Sequence, residues 1–246
     1  MAHAVVHFEI AGPDSGRLAD FYGGLFGWRT KPMPGTSYTL VDTGADGNGI
    51  NGGISERADG CGVMFYIETD DMQSALDKIN LLGGKTETPI SELAGVVTYA
   101  MFSDLDGLLI GLVLAPADPD QVMAPAPGTG APVDWFEVLG ADVDRSRRFY
   151  AEIFGWQANA AGPGYAMVDT GTSRGIRGGM GAGADQARWA TVYASVPDVE
   201  AVLTRAVELG GAREYGPTHI DDHMETGALR DPAGNVFGVY HHAPHA

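Results

Sequence analysis

Cysteine is all but missing from this chain. Cys61 stands alone, which excludes an intramolecular disulfide and any thiolate cluster for zinc or iron–sulfur. With no basic neighbour to activate it, Cys61 reads as a small buried residue. Basic residues are also scarce: fifteen lysines and arginines, only three of them lysine, face thirty-two acids, for a formal charge of −17. A surface of that sign repels phosphate backbones and anionic lipid, so neither nucleic acid nor a membrane is an expected partner. Long apolar runs are lacking. The longest, Leu108 to Ala115, is far too short to cross a bilayer and reads as a strand. The first ten residues have no basic start and no long apolar stretch, so no export signal is expected and the default location is cytoplasmic. Nor is there a Ser-His-Asp order, a phosphate-cradling loop or a dinucleotide fingerprint; the Gly-Ile-x-Gly-Gly segments do not join a strand to a helix.

What the chain does have is a second copy of itself. Residues 1–117 recur at an offset of 126–128 positions. Phe21-Tyr22 through Phe26-Gly27-Trp28 returns as Phe149-Tyr150 through Phe154-Gly155-Trp156, and Tyr38 through Gly44 returns as Tyr165 through Gly171. Gly49-Ile50-Asn51-Gly52-Gly53 matches Gly175-Ile176-Arg177-Gly178-Gly179, and Asp104 through Gly111 matches Asp231 through Gly238. A constant offset means one fold used twice. Pro116–Pro132, with five prolines and Gly128 and Gly130, reads as an extended linker. The expected organisation is a first domain over 1–117, a linker over 118–131 and a second domain over 132–246. At 246 residues and 44% hydrophobic, the chain has ample material for these cores.

Each copy divides again. Residues 3–11 alternate as a strand, and Asp14 caps a helix whose buried face is predicted to hold Leu18, Phe21, Tyr22 and Leu25. Short strands follow near 28–31, 37–43 and 49–55. The pattern then restarts with a strand over 62–69, a helix over 71–82 and strands near 85–90, 96–103 and 108–114. In the second copy the helices fall near 142–154 and 198–209. The order strand, helix, strand, strand, strand occurs four times and makes the class α+β.

A helix ending Phe-Tyr-x-x-Leu/Ile-Phe-Gly-Trp, a tyrosine-bearing strand and a final Asp-x-x-Gly-x-x-x-Gly resemble the vicinal oxygen chelate superfamily, which includes glyoxalase I, extradiol dioxygenases and bleomycin-resistance proteins. In its tandem form the chain is similar to the actinobacterial glyoxalase-like or hydroxylase-like proteins. The resemblance covers nearly the whole chain and implies two domains, each a pair of βαβββ units curled into a half-open barrel around a cup. It further implies that the domains pair within the chain as two single-domain relatives would. Family enzymes hold a divalent metal in the cup with His and Glu. Carried onto this sequence, the first-strand ligand falls on His7 and Trp135, and the last-strand glutamate on Gly111 and Gly238. A third position falls near Met64 or Phe65 and Val192, and a fourth near Asn51 and Arg177. Indole nitrogen cannot ligate a metal and arginine repels one. The expectation is therefore no metal and no other cofactor, with a divalent ion disfavoured.

Residues two apart on a strand face the same way, so His7 lies with Glu9 and Trp135 with Glu137. Either glutamate could serve as general base or ligand contact, with His7 assisting; either could equally face solvent. Tyr38, Tyr66, Tyr99, Trp135, Tyr165 and Tyr193 suit an aromatic wall for a flat organic ligand and equally suit a core. Asn51 and Arg177 join them as candidate ligand contacts. In His219-Ile220-Asp221-Asp222-His223-Met224-Glu225, His219 is a further candidate, although the run also reads as a polar loop. His241, His242 and His245 read as a frayed tail, and Arg145, Arg147 and Arg148 as a solvated helix face. Two functions stay open. One is a binder of a small aromatic or carbonyl-containing molecule of the bleomycin-resistance kind. The other is a lyase, isomerase or hydroxylase-like enzyme, with a cup carboxylate as base.

Overall fold

The computed structural model describes residues 3–58, 60, 62–93, 97–116, 124–183 and 187–243. Cys61, His245 and positions 117–123 of the expected linker lie outside them. The first copy runs β1 (Val5–Gly12), α1 (Ser15–Phe26), β2 (Arg29–Pro32), β3 (Tyr38–Asp42), β4 (Gly52–Glu56), β5 (Gly62–Thr69), α2 (Met72–Leu81), β6 (Lys85–Leu93), β7 (Val97–Ser103) and β8 (Leu109–Leu114). The second repeats it as β9 (Val133–Gly140), α3 (Val143–Phe154), β10 (Gln157–Ala160), β11 (Tyr165–Asp169), β12 (Arg177–Ala182), β13 (Trp189–Ser195), α4 (Val199–Glu208), β14 (Ala212–His219), β15 (Met224–Arg230) and β16 (Val236–His242). Each copy contributes one eight-stranded mixed sheet, ordered β2-β3-β4-β1-β5-β8-β7-β6 and β10-β11-β12-β9-β13-β16-β15-β14. Among the described residues no helix is long and apolar enough to cross a membrane.

All four helices start on an aspartate whose carboxylate takes a backbone N–H of the first turn. The caps are Asp14, Asp71, Asp142 and Asp198, each contributing on the order of 1 kcal/mol. Helices α1 and α3 stop where Gly27 and Gly155 turn left-handed, at φ 71° and 69°, a conformation glycine adopts without steric cost. The buried face of α1 holds Leu18, Phe21, Tyr22 and Phe26. Phe26 takes the place expected for Leu25, because its ring packs on Trp28 at 4.9 Å.

The sheets follow the duplication, one per copy, but packing divides the chain differently. One compact unit comprises Met1–His7, Met64–Met123 and Trp135–Ala190, and the other comprises Phe8–Val63, Ala124–Asp134 and Thr191–Ala246. In the first, Tyr150 stacks on Trp156 at 5.4 Å and 9°, Phe136 contacts both Trp156 and Phe65, and Phe102 contacts Phe149 and Phe154. The Tyr150 hydroxyl donates to Asp104 Oδ2 at 3.0 Å, and Asp104 Oδ1 accepts the amides of Asp106 and Leu108.

The second unit repeats the scheme. Tyr22 stacks on Trp28 at 5.4 Å and 9°, with Phe26 and Phe237 against them. The Tyr22 hydroxyl donates to Asp231 Oδ2 at 3.1 Å, and Asn235 Nδ2 donates to the same oxygen and to the Ala11 carbonyl. Burial, followed by the charge of Asp231, holds the Tyr22 phenol far above its ordinary value. It therefore serves as a fixed donor. Replacing this tyrosine keeps the ring packing and removes only the buried bond to a carboxylate. Tyr22→Phe and Tyr150→Phe should each cost about 1–3 kcal/mol in urea unfolding. An unchanged midpoint in both would show that these bonds do not hold the final turn to the helix.

Candidate functional site

On β9, Phe136 and Val138 are wholly buried and Phe136 meets Trp156 below α3. Strand alternation therefore puts Trp135, Glu137 and Leu139 on the face away from the helix. Glu137 is 8% exposed, yet both of its oxygens are held. Tyr165 donates its hydroxyl to Oε1 at 3.2 Å, and Trp189 donates its indole N–H to Oε2 at 3.0 Å. Hydrogen bonds to an ionised carboxylate favour the charged form and fix its orientation.

Tyr165 reaches Glu137 only because its neighbours have no side chains. Gly179 stands in register with Glu137, and Gly181 with Tyr165. A Cβ on Gly179 would lie 1.9 Å from the Tyr165 hydroxyl oxygen, and one on Gly181 2.7 Å from its ring. The ring thus lies flat across two glycines. In the other unit, Glu9 stands in register with Gly53, whose Cβ would lie 2.0 Å from the Tyr38 hydroxyl. There Ser55 donates to Glu9 Oε1 at 2.7 Å. Burial, then the charge of Glu9, raises the Tyr38 phenol well above the usual tyrosine value.

Two more tyrosines cover glycines. Tyr66 is in register with Gly111, and Tyr193 with Gly238. A Cβ at either glycine would come within 2.2 Å of the tyrosine ring. These are the positions to which the family resemblance assigns the last-strand glutamate, so a longer side chain there would first have to displace a ring. The third position is apolar in the first copy: Met64, Tyr66 and Met101 form one cluster with Tyr99, Leu109 and Val113 against it. Phe65 and Val192 are wholly buried, and Phe65 packs on Phe136. Asn51 spends Oδ1 on the Thr43 amide at 3.0 Å, and Arg177 is exposed at the first residue of β12. Burial lowers His7 to about 4, and its ring meets Tyr66 edge-on at 5.7 Å. Among the described residues no three His, Cys, Asp or Glu side chains form a group able to hold a metal ion.

Of the expected site residues, the structure joins Glu137 with Tyr165, Glu9 with Tyr38, and His7 with Tyr66. It does not join His219 to any of them. His219 ends β14, 79% exposed, with Nε2 3.6 Å from Glu225. Residues 220–223 make the turn into β15, so Asp221 and His223 do not share a strand face with it. The expected frayed histidines are ordered instead: His241 and His242 belong to β16, and His241 Nδ1 lies 3.0 Å from the Val196 carbonyl. Arg145 is only partly solvated: its side chain is 43% exposed and bonds the almost fully buried carboxylate of Asp106 at 2.9 Å. Trp189 and Ser55 were not foreseen as site residues. Their signal was weak, since each reaches its glutamate across the sheet and neither sits in a repeated motif.

A second polar group lies on the β13–β16 part of the other unit. The hydroxyls of Tyr193 and Tyr215 are 3.2 Å apart, and the Tyr240 hydroxyl donates to Asp134 Oδ1 at 2.9 Å. Burial raises the Asp134 carboxyl to about 6 although Tyr240 pulls it down.

Known structures share this architecture. A Mn(II)-bound glyoxalase from Novosphingobium aromaticivorans superposes with a TM-score of 0.69 at 14% identity, covering 98% of this chain and 82% of its own. The 2,3-dioxygenase LapB from Pseudomonas sp. KL28 gives 0.68 at 14% identity, with 99% and 93% covered. The fold is that of the tandem glyoxalases and extradiol dioxygenases. The family described as bleomycin resistance protein-like N-terminal matches residues 133–171, which span β9 to β11. The anthracycline biosynthesis protein DauV of Streptomyces sp. strain C5 is 28% identical over 94% of this chain and 90% of its own length. CFP32 of Mycobacterium tuberculosis, which carries the name of a glyoxylase, is 25% identical over 96% and 94%. The chain has the fold of the vicinal oxygen chelate proteins and is similar over nearly its whole length to these relatives.

Two changes test these contacts. Gly179→Ala should cost about 1–3 kcal/mol through overpacking, and the loss should be strongly non-additive with Tyr165→Ala, which removes the obstructing ring. Additive losses would mean that the ring does not rest on this glycine. Because Asp134 titrates near 6 in place of 3.8, the folded chain binds more protons than the unfolded one across that window. The group therefore opposes folding increasingly as pH rises through it. Asp134→Asn should stabilise the protein by about 1–2 kcal/mol at pH near 7.5, allowing for partial exposure, and by nothing below about pH 4. An equal gain at both would contradict the assignment.

Proposed function

We propose that this protein binds a small, flat aromatic molecule on the helix-free face around Glu137, and that it does so without the divalent metal of its superfamily. The observation that carries the reading is the pinned glutamate itself. Glu137 is buried, oriented by Tyr165 and Trp189, and flanked by half-buried Trp135 and Tyr165 rings. Such a surface offers stacking area and one fixed acceptor for a ligand hydroxyl. The donor set argues against a metal. The positions matched to the family ligands hold glycine beneath tyrosine, arginine, tryptophan, an asparagine already bonded to its own loop and, in the first copy alone, one competent donor, His7. A transition metal needs three or four converging N, O or S donors. The name of DauV ties one relative to the assembly of polycyclic aromatic compounds, which suits a flat ligand.

Binding alone is the reading that the geometry favours over catalysis. A carboxylate whose two oxygens already accept bonds from fixed donors is a good anchor. It is a poor mobile base, because those two bonds fix where its oxygens point. Titration of the protein with hydroxylated anthraquinones, followed by tryptophan quenching in EDTA, tests this. Saturable binding with Kd of about 1–100 μM is expected, weakened about tenfold or more in Glu137→Gln. No saturable quenching across the panel, or binding that requires added metal, would refute the proposal.

A further inference from the structure

The two copies hold equivalent glutamates but surround them differently. In the first copy the sequence around Glu9 supplies His7, Leu40, Asn51 and Ser55. In the second the matching positions hold Trp135, Met167, Arg177 and Gly181, and Trp189 has replaced the serine as donor. Trp135, Arg177, Tyr165, Met167 and Trp189 all belong to one compact unit. Register sets Arg177 beside Trp135, two residue pairs along the strands from Gly179 and Glu137 and so on the same face. Met167 pairs with Gly179 and is 44% exposed; Arg177 is exposed; Trp135, Tyr165 and Trp189 are half-buried. No hydrogen bond or ion pair engages the Arg177 guanidinium among the described residues, although acids outnumber bases two to one in the chain. An open aromatic face thus carries one cation at its edge.

We infer that the ligand of the second copy is a planar aromatic carboxylate, its ring system stacked on the Trp135–Tyr165–Trp189 face and its carboxylate held by the Arg177 guanidinium. The planar fork of arginine matches a carboxylate with two parallel hydrogen bonds. The opposing term is the charge of Glu137. Glu137 is the diagonal neighbour of Arg177 on the adjoining strand, a separation of about 7–8 Å, whereas a paired carboxylate sits about 3 Å from the guanidinium. Coulomb energy falls inversely with distance, so attraction exceeds this repulsion about twofold before the hydrogen bonds are added. The other acid on this face, Asp169, accepts the Gly171 amide at 2.8 Å. A hydroxyl of the ligand about 7 Å from its carboxylate would then meet Glu137. The first copy cannot do this, since Asn51 at the matching position has neither the positive charge nor the planar fork of a guanidinium.

The inference rests on the proposed ligand-binding role, and the test separates the two. Anthraquinone-2-carboxylate and the neutral anthraquinone-2-carboxamide are titrated into the full-length protein, Arg177→Gln and Arg177→Lys, with tryptophan quenching as readout. The carboxylate should bind wild type about tenfold more tightly than the carboxamide. Arg177→Gln should abolish that preference while leaving carboxamide affinity within about twofold, and Arg177→Lys should retain only part of it. Equal binding of both compounds to wild type, or a preference that survives Arg177→Gln, overturns the inference and leaves the binding role standing. If neither compound binds, the inference and the role fall together.

Discussion

A tyrosine ring laid over a glycine of the adjoining strand organises every quarter of this protein. It occurs once in each βαβββ unit: Tyr38 over Gly53, Tyr66 over Gly111, Tyr165 over Gly179 and Tyr193 over Gly238. The contact requires a bare backbone, because any Cβ at those glycines would sit within 2.2 Å of the ring or hydroxyl. Its consequences differ by unit. In the third unit the ring carries its hydroxyl to the buried Glu137, and in the first it lies over Gly53, the register partner of buried Glu9. In the second and fourth it lies over the glycine to which the family resemblance assigns the last-strand glutamate. One packing motif therefore both builds the polar anchor and occupies the ground of the usual chelate.

Duplication has left the two copies free to diverge around that motif. Ser55 steadies Glu9, whereas Trp189 steadies Glu137 from a different strand. The Asp-x-x-Gly turns diverge too. Asp106 is a nearly buried carboxylate met by Arg145 and Arg188, while its counterpart Ala233 sits against Gly12 near Leu18. Asp106 Oδ2, Arg145 Nε and Ser146 Oγ are buried without hydrogen-bond partners.

The elements were legible in the sequence because their causes are local. Alternation marks the strands and Asp14 announces the first helix; Asp71, Asp142 and Asp198 cap the others and Gly27 and Gly155 end two of them by equally local means. The shared face of Trp135 and Glu137 followed from strand period alone. Contacts across strands did not show. Nothing near Gly111 indicates that Tyr66 covers it, and nothing near Trp189 points to Glu137, more than fifty positions away. Arg145 looked solvated for the same reason: its partner Asp106 lies in the other copy. His241 and His242 seemed loose until pairing with β15 made them part of a strand.

The central claim is that tyrosines have displaced the metal. Elemental analysis of untagged protein, produced with manganese, iron, nickel and zinc in excess and then gel-filtered without chelator, tests it most directly. The account expects less than about a tenth of an ion per chain, as befits a site short of the three or four donors a divalent metal needs. A stoichiometric divalent ion that survives gel filtration would contradict it.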